Sequence, residues 1–333
     1  MYKVSILVPV YSVEQFIERC ARSLFAQTYP DLEFVFVNDC TPDQSVELLQ
    51  KVMEEYPQRK PTVKIINHEK NRGLAAARNT ALDNATGEFI CHVDSDDWLE
   101  LNAVELLVKR QEDTKSDIVS GNMYVHTVTG VETWYEPHYH SKKEMVLAQL
   151  PDMREHNVFR RIIRRSLYED NSIRCIEGCD RAEDRYQMVL LSLVAEKTSN
   201  IDDFVYHYET RNSKSITNLF NQDENLKMLD QDLTNWLGIR EFFADKEESY
   251  VPETTCYVVN CINRLLYLSV KQHARKYYKK AAAVVYDNED CLALMGWEKE
   301  GVDRIIHDFE VKWIKHSCKR LIGFCGWLMK SIR

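Results

Sequence analysis

Apolar and polar positions along the first hundred residues fall into blocks that switch between the strand and helix periods. Val4 to Val10 is a continuous apolar run, the pattern of a strand buried on both faces, which Pro9 is expected to stop. Val13, Phe16, Ile17, Cys20 and Leu24 then recur at helical spacing until Tyr29-Pro30. Leu32 to Val37 predicts a second strand, ended by Asn38-Asp39. Thr41, with Pro42 next and Gln44 three residues on, reads as the capped start of a helix burying Val46, Leu49, Met53 and Tyr56. Val63 to Ile66 is a third strand, followed by Asn71, Gly73 and an Ala-rich helix through Ala85, and Gly87 to Val93 is a fourth. This alternation predicts an α/β domain: an open, mixed but mostly parallel sheet with helices on both faces.

The pattern changes after a helix over Leu101 to Thr114. Asp117 to Thr127 and Val131 to Glu136 read as strands joined at Thr129-Gly130, Ser141 to Leu150 as a helix, and Arg160 to Arg165 as a basic cluster. A further helix begins near Ala182-Glu183-Asp184, with Met188, Leu191 and Ala195 facing inward, and Ile201 to Tyr208 is a last strand. Beyond Asn221 only helical patterns remain. The chain therefore divides into residues 1–220 and a helical extension, 221–333, with a soft boundary.

The candidate chemistry sits where the fourth strand ends. GEFICHVDSDDW runs an apolar strand into Asp94, Asp96 and Asp97. Crowded like charges cost free energy unless something positive lies among them. A divalent cation held with a phosphate-bearing ligand would compensate, and Mg²⁺ or Mn²⁺ take oxygen ligands of this kind. The plainer alternative is a solvated acidic loop capping the helix near Glu100. Ligands of open α/β sheets bind beyond the carboxyl ends of the strands. Tyr11, Asp39, and Asp94 with Asp96 follow the first, second and fourth strands, so they are expected to converge on one crevice.

Composition narrows the classes. The 333 residues are 44% hydrophobic and 29% charged, ordinary for a folded domain. A net charge of -9 excludes a general nucleic-acid binder. The start of the sequence lacks the regions of a signal peptide, and no apolar run is long enough to span a bilayer. Of the ten cysteines, Cys175 and Cys179 are close but have no second pair at zinc spacing, so buried reduced thiols in a cytoplasmic protein are expected. Residues 311–333 carry six Lys or Arg and no acid, with Ile314, Cys318, Leu321, Cys325, Leu328 and Ile332 at spacings of three and four. That is a basic amphipathic segment suited to peripheral contact with an anionic membrane. The alternative is a helix packed on the body, and Gly323 and Gly326 weaken the helix itself.

VSILVPVY, FVFVNDCTPDQS, NRGLAAARNTAL, GEFICHVDSDDW and the Glu183-Asp184 pair, in this order, resemble glycosyltransferase family 2, over roughly residues 1 to 215. The resemblance implies a GT-A nucleotide-sugar fold and an inverting, metal-dependent transferase using Mn²⁺ or Mg²⁺. Its donor would be a nucleotide-sugar, a UDP-sugar first, and its acceptor a glycan or lipid-linked hydroxyl in surface polysaccharide synthesis. By position, Pro9, Val10 and Tyr11 would frame the uracil-ribose pocket, with Tyr11 stacking on the base. Asp39 would accept a hydrogen bond from the base, and Asn71 and Arg78 would hold the nucleotide edge and diphosphate. Asp94 with Ser95 would contact the ribose, Asp96 with Asp94 would bind the metal, and His207 is a further candidate ligand. Arg211 and Ser215 would approach the diphosphate. Asp184 would be the general base, at a helix N-terminus that favours the anionic form that role needs. Glu183 and Glu177 would orient the acceptor or pack nearby.

The chain departs from the family pattern at Cys40, where glycine is usual, at Asn38, which replaces an acid, and at Arg160-Arg161, where an Asn-Lys pair is commoner. Among other readings, a sugar-nucleotidyltransferase needs a glycine-rich loop that Val8-Pro9-Val10-Tyr11 does not supply. A dehydrogenase needs a G-x-G-x-x-G turn that is missing. A catalytically silent nucleotide- or glycan-binding protein on the same fold is opposed by Asp94, Asp96 and Asp184.

Overall fold

The computed structural model describes residues 2–150, 157–212, 225–272, 274–288 and 291, in two compact units, 1–221 and 222–333. Ser215 and the basic segment 311–333 lie outside the described residues.

The first unit opens as β1 (Val4–Val10), α1 (Ile17–Phe25), β2 (Leu32–Asn38), α2 (Ser45–Glu54), β3 (Val63–Asn67), α3 (Leu74–Asp83) and β4 (Phe89–His92). It continues as β5 (Trp98–Leu99), α4 (Ala103–Thr114), β6 (Ile118–Thr127), β7 (Gly130–Trp134), α5 (Lys142–Ala148), β8 (Arg161–Arg164), α6 (Arg165–Asp170), α7 (Glu183–Val194) and β9 (Thr198–Glu209). One mixed sheet runs in the order β3-β2-β1-β4-β8-β6-β9-β5, with β7 paired to β6. β3, β2, β1 and β4 are parallel, which sets their carboxyl ends side by side. β8 is antiparallel to both β4 and β6, and β9 returns parallel to β6.

Three sequence expectations change in detail. β1 is not stopped by Pro9 but runs to Val10, with Pro9 opposite Val37 on β2. The β4 pairing has ended at Leu7, so Pro9 has a ladder partner on one side only and its missing N–H is tolerated. Thr41 does not cap α2, which starts at Ser45. Its hydroxyl accepts from Ser12 N at 2.8 Å, and Asp43 takes the Ser45 N–H instead, at 3.2 Å. The basic cluster spans strand β8 with a residue on either side: Arg160 and Arg161 are buried, each 2.6 Å from a different oxygen of buried Glu136.

The parallel strands are tied together at their amino ends by Glu33. Its carboxylate accepts from Ser5 Oγ at 2.6 Å and Thr86 N at 2.8 Å and faces Lys64 Nζ at 2.7 Å. Ser5 Oγ in turn accepts from Gly87 N at 2.8 Å, and a Cβ on Gly87 would lie 2.7 Å from Ser5 N. These bonds hold Glu33 at a pKa of about 2: burial opposes ionisation, and Lys64, Ser5 and Thr86 more than offset it.

The second unit contains helices Leu226–Lys246, Val251–Lys271 and Arg275–Asp287, with Trp236 stacked on Tyr257 at 4.5 Å. Among the described residues no helix is long and apolar enough to cross a membrane. Cys40 and Cys256 are exposed thiols, whereas Cys20, Cys91 and Cys175 are buried.

Candidate active site

The strand ends of the parallel half come first. Tyr11 follows β1 and is 47% exposed, directly after the buried Pro9 and Val10. Asp39, just past β2, is buried and accepts from Arg72 N and Gly73 N, both at 2.8 Å, while His68 Nδ1 lies 2.6 Å away. His68 Nε2 continues to Thr80 Oγ1 at 2.9 Å. Asp39 thus fixes the loop that leads into α3 and carries Asn71, which is exposed. That loop turns on Gly73, at φ +91°, a conformation that costs a side chain strain.

The acids after β4 divide their work. Asp97 N donates to Asp94 O at 3.0 Å, closing a turn with Ser95 buried inside it. Asp97 is fully buried, accepting from Tyr206 Oη at 2.6 Å and Glu209 N at 2.7 Å. Burial and the Asp96 and Asp94 charges push its carboxyl well up. Asp94 and Asp96 are partly exposed instead. Asp94 Oδ1 takes Arg78 Nη2 at 2.8 Å, and Asp96 Oδ2 takes Asn212 Nδ2 at 2.8 Å. Asp96 rises to a pKa of about 6, through burial first and the Asp94 charge second.

Arg19 of α1 locks the turn from below. Its Nη2 donates to Asp96 O at 2.8 Å, its guanidinium stacks 3.6 Å from the Trp98 ring, and it pairs with Glu209 at 3.3 Å. Glu209 also takes Arg211 through Nε at 2.7 Å and Nη2 at 2.6 Å, which brings the end of β9 to the acidic turn. His207 stacks on the other strand partner, Trp98, at 4.6 Å. Both its nitrogens are engaged, Nδ1 by His126 at 3.0 Å and Nε2 by Glu100 at 2.9 Å, so the structure does not present His207 to the acids as a metal ligand.

Arg78 joins this turn to the other side of the site. It is 2% exposed, and its Nε faces Glu183 Oε1 at 3.2 Å while Nη2 holds Asp94. Burial alone would lower the guanidinium pKa; Asp94 and Glu183 raise it instead. Glu183 is buried at the start of α7 and is pushed up to about 8 by burial and by Asp184, against Arg78. Asp184 is partly exposed in the first turn of α7, and its Oδ1 accepts from Arg185 N at 2.7 Å.

Asp94 and Asp96, the two partly exposed carboxylates of the turn, are the oxygen donors that would suit a divalent cation; among the described residues no group of three or more His, Cys, Asp or Glu stands together as a metal cluster. The raised pKa of Asp96 reflects burial first and the neighbouring Asp94 charge second. The sequence singled out Asp94, Asp96, Arg78 and Asp184 as candidates but not Arg19, Asn79, Asn212 or Tyr206, whose contacts the structure shows. Of these only Asn79 carried a signal, as a polar position on the Ala-rich face of α3.

Comparison with known proteins follows this geometry. A family model described as glycosyl transferase family 2 matches residues 5–177. The glycosyltransferase EpsJ of Bacillus subtilis is 32% identical over 224 residues, 65% of this chain and 63% of that protein. The glycosyltransferase GlyA of Streptococcus pneumoniae is 41% identical over 122 residues, 37% of this chain, which spans only 17% of GlyA. Among solved structures, Staphylococcus aureus TarS 1–349 in complex with UDP-GlcNAc superposes with TM-score 0.65 at 21% identity, covering 85% of this chain and 80% of that one. A mannosyltransferase of Pyrobaculum calidifontis, in complex with GDP-Man and Mn²⁺, gives 0.52 at 18% identity over 96% and 87%. The sheet and its flanking helices are a GT-A fold.

Proposed function

From the premise that this chain belongs to glycosyltransferase family 2, we propose that it inverts a sugar from a UDP-linked donor onto a hydroxyl of a glycan or lipid-linked acceptor, in the building of a surface polysaccharide. The observation that carries this reading is Arg78, whose guanidinium joins the donor-side carboxylate Asp94 to Glu183 beside Asp184.

In this reading Tyr11 covers the uracil, and the loop fixed by Asp39 presents Asn71 to the nucleotide edge. Asp94 and Asp96 would hold Mn²⁺ or Mg²⁺, a cation that would supply neutralising charge to a diphosphate leaving group. Arg211 would reach the same oxygens on release from Glu209. Asp184 removes the proton of the acceptor hydroxyl as that oxygen attacks the anomeric carbon. The UDP-GlcNAc and Mn²⁺ named for TarS and the Pyrobaculum enzyme support the donor class and the cation. A membrane-facing role for 311–333 would suit a lipid-linked acceptor.

The test is calorimetric titration of UDP with and without Mn²⁺, on the native chain and on Asp96→Asn, followed by turnover of Asp184→Asn. Expected are Mn²⁺-dependent binding abolished in Asp96→Asn, and UDP affinity kept in Asp184→Asn with turnover down about 10²–10⁴-fold. UDP binding without turnover of any UDP-sugar would refute the enzyme reading.

A further inference from the structure

The loop before α7 and the helix α3 are joined along one stripe. Asn79 is buried, and its amide makes a reciprocal pair with one residue's backbone: Nδ2 donates to Cys175 O at 2.9 Å, and Oδ1 accepts from Cys175 N at 2.8 Å. At the start of α3, Asp180 Oδ1 accepts from Ala75 N at 3.0 Å. The approach is close enough that a Cβ on Gly73 would lie 2.5 Å from the Asp180 carboxylate. Arg78 reaches Glu183, and at the far end of the helix Asp83 takes Arg174 Nε at 2.9 Å. Residues 75, 78, 79 and 83 stand three and four apart, so one face of α3 is given over to segment 174–183.

The segment itself is held in sparsely populated backbone. Ser172, Gly178 and Ala182 have φ of 53°, 82° and 55°, and Ala182 immediately precedes α7. A non-glycine residue persists there only where its surroundings over-determine it. The contacts from α3 are those surroundings, and two residues later the chain presents Asp184.

We propose that α3 is the mount of the catalytic base, with Asn79 a positioning residue that acts on Asp184 through Cys175 and the loop between them. The inference rests on the reading of Asp184 as base. It assigns the contacts of Asn79 and Asp83 with segment 174–183 to the acceptor side of the reaction. A displacement of about 1 Å at a reacting group costs about 10²-fold in rate, so loosening the mount should be visible in kcat.

The experiment compares the full chain with Asn79→Ala and Asp180→Ala, neither of which touches substrate. Hydrogen exchange of the peptide covering 173–184 should speed at least about tenfold in each, with β1, β2 and β4 unchanged. Using UDP-GlcNAc and Mn²⁺ as the probe, hydrolysis should show kcat lowered about 10–100-fold and donor KM within about twofold. A purely structural role would lower stability without that split. Unchanged exchange over 173–184, or kcat and KM shifting by one common factor, overturns the proposal. Wild-type kcat in Asn79→Ala beside an inactive Asp184→Asn overturns the mount alone. Turnover that survives Asp184→Asn overturns the mount together with the assignment of the base.

Discussion

Replacing Glu33 by Gln isolates what one buried carboxylate does for the sheet. Glu33 is 3% exposed and receives Ser5, Thr86 and Lys64, so its ionised form is held by the fold and not by water. Its pKa falls from the ordinary 4.5 to about 2. That separation is worth about 3 kcal/mol of stability while the group is ionised in both folded and unfolded chains. Because the folded value is the lower one, the contribution is complete above about 4.5 and disappears as pH falls through about 2. Gln accepts one of the bonds but brings an NH₂ against Lys64. Urea unfolding of both chains from pH 7 down to pH 2 reads the difference directly. The variant should be about 3 kcal/mol less stable at pH 7, the gap narrowing below about pH 4.5 and closing near pH 2. UDP affinity should be untouched, since Glu33 lies at the amino ends of the strands. A cost that stays constant across this range, or one below about 1 kcal/mol at pH 7, would refute the argument.

Further tests separate structural from chemical acids and reach the donor pocket. Asp97→Ala leaves the Tyr206 hydroxyl and the Glu209 N–H buried without their acceptor, costing about 2–4 kcal/mol by urea unfolding, whereas Asp96→Ala should change stability little. Gly73→Ala meets both φ +91° and the Asp180 carboxylate, so the variant should lose about 1–3 kcal/mol, read as a Tm lowered by several degrees. Tyr11→Ala removes an exposed ring, so Tm should hold while UDP binding, measured by calorimetry, weakens about tenfold as base stacking is lost.

The parallel half was readable because its signals are local. Continuous apolar runs make β1, β2 and β4, and a run that ends in acids marks the ligand-facing edge of such a sheet. The antiparallel half hid its logic in long-range pairing. Arg160 to Arg165 reads only as a basic cluster until Glu136, more than twenty residues earlier in the chain, is found to pair with both Arg160 and Arg161 inside the protein. β5 has two residues, too few to carry a period, and is defined only by Trp98 and Leu99 meeting β9. Arg19 gives no sign in sequence of holding Asp96, because the contact joins a helix near the start to a turn 77 residues on. Asp97 was indistinguishable from its neighbours by type. Only its burial against Tyr206 shows it to be a strut.

The joint between the two halves has a consequence for how such a protein can vary. β4 meets β8 through two residue pairs, Phe89 with Arg164 and Ile90 with Ile163, whereas β1 meets β2 through seven. Lengthening the exposed turn between β6 and β7, around Val128 to Gly130, would leave the ladder that carries Tyr11, Asp39 and Asp94 undisturbed, since β7 pairs with β6 and not with that ladder. The architecture behaves like a socket with an interchangeable rim: the parallel ladder keeps its register while an exposed turn beyond it can be recut.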